Sequence, residues 1–146
     1  MRGIEFECSN GYGTILKDLL EPLTFENYDF YIFEDEIIKD DENWILPKVI
    51  SGRAFRKLIS ESSYLVIFVH LQVYKKGAKY KPIKDYQDFI NSNCDIVFLL
   101  SDNSFVEIYA KEVQIIQTLA DNAEKLGYNV AVKLSSNDSR TKFKLD

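Results

Sequence analysis

His70 is the only histidine in the chain, and it is the first residue to test for chemistry. An imidazole works as a base or activates a nucleophile only with a hydroxyl, thiol or carboxylate in reach. No Gly-x-Ser-x-Gly elbow and no Cys–His signature accompanies His70. Its expected role is a hydrogen-bonded histidine where a strand leaves its apolar zone. Cys8 and Cys94 are the only cysteines and have no zinc-like spacing. Two reduced, buried thiols are expected. The stretch Asn137-Asp138-Ser139-Arg140 brings acceptors, a hydroxyl and a guanidinium together. It reads mainly as a turn, with Arg140 a binding candidate only if it faces a cleft.

The carboxylates are the strongest signal. Residues 26–42 contain Glu26, Asp29, Glu34, Asp35, Glu36, Asp40, Asp41 and Glu42 against Lys39 alone, eight acids less one base, or −7. The whole chain carries −5, so the rest carries +2 (−5 minus −7). A hard cation needs several oxygens at set spacing. Asp35, Asp40 and Asp41 lack the EF-hand offsets and its glycine, so no metal and no other cofactor is expected. A solvated acidic loop is the plain alternative. The sharper reading is an acidic surface for a basic protein partner, where complementarity sets on-rate and specificity. Tyr28, Tyr31 and Trp44 beside the acids resemble interface composition. The candidate binding residues are Asp29, Tyr31, Glu34, Asp35 and Trp44, with His70 and Arg140 as outliers.

Two other patterns point elsewhere and are weaker. The segment 74–84 (YKKGAKYKPIK) interleaves Tyr74 and Tyr80 with lysines, the pairing used for single-stranded nucleic acid. One loop in an acidic chain is thin support, and lysines also keep loops soluble, so nucleic acid is not the expected partner. Gly11-Tyr12-Gly13 precedes a helix, as in a dinucleotide fingerprint, but Leu16 stands where the third glycine belongs.

These residues need a scaffold, and periodicity supplies one. Arg2–Cys8 alternates as a half-buried strand. Thr14–Leu20 has helical spacing and stops at Pro22. Tyr28–Phe33 reads as a strand and Glu34–Glu42 as a turn or ragged second strand. Trp44–Leu46 is a short extended piece before Pro47. Ser51 is a helix N-cap, and its helix runs to about Glu61. Tyr64–Val73 is apolar on both faces: Leu65, Ile67, Val69, Leu71 and Val73 on one, Tyr64, Val66, Phe68 and then His70 on the other. Such a strand belongs mid-sheet. A loop covers 75–84, and a short helix Asp85–Asn91. Cys94–Leu100 and Phe105–Ala110 form a hairpin across Ser101–Ser104. Lys111–Leu126 is the longest helix, ended by Gly127. Asn129–Leu134 and a last alternating strand, 141–145, make a C-terminal β-hairpin.

The expected fold class is α/β in the broad α+β sense: one domain over 1–146, a single mixed β-sheet, three to four packed helices and that hairpin. The helix at 111–126 should cross over to a parallel neighbour. The start, MRGIEFE, lacks a signal-peptide core. The longest nearly uninterrupted apolar stretch, Tyr64–Val69, is far below the ~20 residues that span a bilayer. A cytoplasmic protein without a membrane role is expected.

The pieces RGIEFE, NYDFYIFEDE, ISGxxFxKLI, YxVIFxxLxxYxKG, YxDFxNSxC and NDSRT stand at Arg2–Glu7, Asn27–Glu36, Ile50–Ile59, Tyr64–Gly77, Tyr86–Cys94 and Asn137–Thr141. Together they resemble an uncharacterised family of small proteins from Bacillus and related bacteria. The resemblance implies a bacterial cytoplasmic origin and a stand-alone domain, and it carries no site onto any residue. A non-enzymatic binding, regulatory or immunity-type module is the expected function. The alternative is a small-molecule binder or enzyme with polar groups at the carboxyl ends of strands: His70, Ser101, Asp102, Ser135 and Asn137.

Overall fold

The computed structural model describes residues 2–133 and Phe143. Its strands are β1 (Gly3–Glu7), β2 (Tyr28–Lys39), β3 (Glu42–Asn43), β4 (Val49–Ser51), β5 (Leu65–Lys75), β6 (Cys94–Ser101), β7 (Phe105–Ala110) and β8 (Ala131–Lys133). The helices are α1 (Ile15–Leu20), α2 (Gly52–Glu61), α3 (Tyr86–Ile90) and α4 (Val113–Lys125). Among the described residues the strands form one sheet in the order β3-β2-β5-β6-β7-β1-β8, with β4 also paired to β2. One sheet with packed helices is the α/β class expected. The C-terminal hairpin and Arg140 lie outside the described residues.

Strand direction differs from the expectation. Every described ladder is antiparallel. Helix α4 does link two strands that point the same way, but β1 lies between them and pairs with both β7 and β8. The crossover therefore has no parallel neighbour. An N-terminal strand returning to the middle of a ladder is a long-range event that periodicity does not encode.

The acidic segment is the second departure. Strand β2 continues from Tyr28 to Lys39, and the chain turns only at Asp40 and Asp41, with φ of 54° and 62°. Lys39 pairs with Glu42 across them. This is a two-residue hairpin with both central residues left-handed, a conformation Asp tolerates better than most side chains. The same chemistry closes β6–β7, at Asp102 (φ 50°) and Asn103 (φ 64°). So 34–42 is mostly ordered strand rather than loop, because Ile32 and Ile37 are buried in the core and anchor it.

Two bulges set which side chain faces where. The β2–β5 register skips Phe33 on β2 and Ile67 on β5. A skipped residue reverses the alternation beyond it. Val66 and Val69 consequently enter the same core, where strict alternation predicted opposite faces. His70 shifts with them: it sits in mid-strand, on the opposite face from Tyr64 and Val66. Each bulge carbonyl finds a donor, Phe33 from Lys48 Nζ (3.0 Å) and Ile67 from the Asn103 amide (3.0 Å).

The sheet thus has a large core on one face and a small one on the other. The large core takes Leu16, Leu19 and Leu20 of α1, Phe55 and Ile59 of α2, and Ile116 and Leu119 of α4. The ends of the α4 stripe, Val113 and Leu126, are exposed instead. Ser51 caps α2 as expected, its hydroxyl accepting from the Ala54 amide at 3.3 Å. On the second face Tyr74, Val97, Leu99 and Tyr109 lie beneath Ile83, Phe89 and Phe143.

Candidate functional site

The seven residues singled out in the sequence separate across the sheet. Asp29, Tyr31, Glu34 and His70 belong to the second face or its rim, Asp35 and Trp44 to the large-core side, and Arg140 lies outside the described residues.

On the second face a buried polar group surrounds His70, which is 1% exposed. The Gln72 side-chain amide donates to the Ile83 carbonyl (3.4 Å) and faces His70 Nε2 at 3.2 Å. With the amide so placed, Nε2 accepts and the ring proton sits on Nδ1. Nδ1 is buried and has no hydrogen-bond partner among the described residues. The rings of Phe33 and Phe143 meet the imidazole edge-on at 5.0 and 6.3 Å. Burial therefore lowers the His70 pKa from 6.5 to about 4. The imidazole is neutral at pH 7, and among the described residues no hydroxyl, thiol or carboxylate hydrogen-bonds to it.

The lysine–tyrosine loop closes this layer. The Tyr74 hydroxyl donates to the Lys81 carbonyl (2.8 Å) and lies 3.2 Å from Gln72 Oε1. The Tyr80 ring stacks on Tyr31 at 3.8 Å. Among the described residues its buried hydroxyl has no hydrogen bond of normal geometry, and burial followed by the neighbouring Tyr31 hydroxyl pushes its ionisation up. Asp29 accepts from the Gly77 amide at 3.1 Å and fixes the loop's turn, where Gly77 has φ 81°. The two rings that could have stacked on bases are consumed inside the protein. The Gln72 bond to Ile83 and the Tyr80 stack on Tyr31 were invisible in the sequence, since each needs a strand and the loop to fold together.

The outer edge of β2 carries the other cluster. The Trp44 amide donates to the Ile37 carbonyl (2.7 Å) and the Ile32 amide to the Lys48 carbonyl (2.8 Å). Between these bonds the chain arches off the sheet through Ile45, Leu46 and Pro47. Pro47 has no N–H with which to rejoin the ladder. The arch leaves a groove of about 300 Å³ lined by Asp35, Glu36, Ile37, Asn43, Trp44, Ile45, Leu46 and Lys48. Trp44 packs on buried Tyr64 (5.3 Å) and receives Lys39 Nζ at 5.0 Å from its ring centre. Burial raises the Asp35 pKa, partly offset by the Lys48 ammonium. Ile45 is 89% exposed. Sequence reasoning found Asp35 and Trp44 but missed Ile45, Leu46 and Lys48, which the arch brings to them.

Other sites are poorer. A cavity of about 510 Å³ is lined by Glu7, Cys8, Ser9, Gly127, Tyr128 and Asn129. Its one thiol is pushed up to about 11 by burial and is a weak nucleophile. No group of three or more His, Cys, Asp or Glu among the described residues could hold a metal. In an antiparallel sheet neighbouring strands end on opposite sides. Among the described residues His70 and Ser101 therefore lie on strands of opposite direction, and the small-molecule alternative's Ser135 and Asn137 lie outside the described residues.

Fold and groove define a single antiparallel sheet among the described residues, with an acid-rimmed strand β2 whose outer side is paired in part by β3 and β4. The chain belongs to the family described as "Protein of unknown function (DUF2691)", which matches residues 1–144. It is similar to the uncharacterized protein YncE of Bacillus subtilis (strain 168), 31% identical over 148 residues and covering 96% of each chain. No solved structure matches the chain. No helix among the described residues is long and apolar enough to cross a membrane.

Proposed function

We propose that this protein is a non-enzymatic binding module whose acidic outer strand and hairpin dock a protein with a basic surface. One observation carries the reading: Glu34, Glu36, Asp40, Asp41 and Glu42 stand on one ordered sheet edge, and none makes an ion pair among the described residues. Most charged surface mixes both signs more evenly; here these five acids stand with Lys39 and Lys48 alone for opposite charge. Preorganised like charge raises association rates toward an oppositely charged partner and falls in effect with salt. Around it, exposed Ile45 and Val49 supply apolar contact area. Strand order also lowers the entropy cost of binding compared with a loop of the same composition.

The test is affinity capture from host-cell lysate with the wild-type chain and with Asp40→Asn/Asp41→Asn/Glu42→Gln. Asparagine keeps the left-handed turn, so the variant removes charge without unfolding the hairpin. The expected result is a basic protein retained by the wild type, weakened by salt, and depleted on the variant. Equal retention by both chains refutes the reading.

A further inference from the structure

We propose that the Asp35–Trp44 groove is the anchor pocket for a single arginine side chain of the partner, an inference that rests on the protein-binding reading above. The walls match that group. Trp44 gives aromatic surface for the aliphatic stem, with the largely buried Leu46 behind it, and Asp35, on the same face of β2, supplies the carboxylate. A planar guanidinium stacks on an indole and pairs with a carboxylate through two donors, which an ammonium cannot do.

The ring already shows its preference, since Lys39 Nζ lies 5.0 Å from its centre. Tyr64 holds the indole from the core side, so the ring needs no reordering to receive a cation. Lys39 rides on the hairpin and is tethered by nothing else among the described residues; a guanidinium would displace it. Asp35 makes no ion pair among the described residues; the Lys48 ammonium, which donates to the Phe33 carbonyl at 3.0 Å, acts on it only at longer range. Its partly buried carboxylate has lost solvent that a bidentate partner would replace. Ile45 on the lip is placed to meet an aliphatic neighbour of that arginine.

Trp44 is the only tryptophan, so its fluorescence and its indole N–H resonance report the groove directly. The probes are acetyl-Leu-Arg-amide and its citrulline analogue, which keeps shape and loses charge. The arginine peptide should give a saturable change at least ~tenfold tighter than citrulline, about 1.4 kcal/mol. Asp35→Asn should reduce it to the citrulline level, whereas Asp40→Asn/Asp41→Asn should leave the preference intact. Equal binding of the two peptides, or an unchanged preference in Asp35→Asn, overturns the pocket. If the peptide result holds and lysate capture fails, the protein-binding reading falls and the guanidinium site stands. If capture holds and Asp35→Asn does not weaken it, the pocket falls alone.

Discussion

Lowering the pH from about 7.5 to about 4.5 should remove about 2.5 kcal/mol of stability through His70 alone. Burial depresses the folded-state pKa from 6.5 to about 4, and the side chain is 1% exposed, so solvent screening does not discount the effect. The unfolded chain takes up its proton near pH 6.5 and the folded chain only near 4. The unfolded state therefore holds the extra proton in that window. The stabilising contribution is complete above pH 6.5, falls as pH falls, and is exhausted near 4. Over the full window it amounts to about 3 kcal/mol, at roughly 1.4 kcal/mol per tenfold in proton affinity. Glu34 pairs opposite His70 across the strands but is exposed and does not offset the penalty. The control is His70→Phe, which keeps a ring between Phe33 and Phe143. It leaves Gln72 one acceptor short, a cost of about 1 kcal/mol at every pH. Burial raises the Asp35 and Asp95 pKa values, which acts in the opposite direction, but both chains share these groups and they cancel. Urea denaturation of both chains at both pH values is the assay. Equal losses in wild type and His70→Phe would refute the account, as would an imidazole titrating near 6.5 by NMR.

Three further outcomes are expected. Phe143→Ala should cost about 3 kcal/mol in urea denaturation, because the ring is 5% exposed against His70, Phe89 and Tyr109; an unchanged midpoint would show that the second face does not need it. Gly52→Ala should cost about 2 kcal/mol or more, since a Cβ there would lie 1.7 Å from the Phe25 carbonyl oxygen, and backbone must move. A thermal midpoint within a degree or so of wild type would contradict that packing. Neither thiol should react quickly with a disulfide reagent in the folded protein, because burial pushes Cys8 up to about 11 and Cys94 up to about 12; labelling faster than global unfolding would overturn this.

Local periodicity determined most of the elements. The alternation of Ile4 and Phe6, the Ser51 cap, the Asp102–Asn103 turn and the middle of the α4 stripe all depend on neighbours within a few positions, and each forms where the pattern places it. The acidic run was legible as a candidate surface for the same reason, since charge density needs no fold to be counted. Only the tertiary structure decided what that run became. Ile32 and Ile37, drawn into the core, converted it from loop to strand. The bulges at Phe33 and Ile67 arose from fitting β2 against β5, and they alone placed His70 on the second face and Asp35 on the first. The insertion of β1 between β7 and β8 joins segments about a hundred residues apart and keeps those two like-directed strands from pairing in parallel. A side chain's face depends on a one-residue register, and register is chosen by the energy of the whole ladder rather than by the residues on either side.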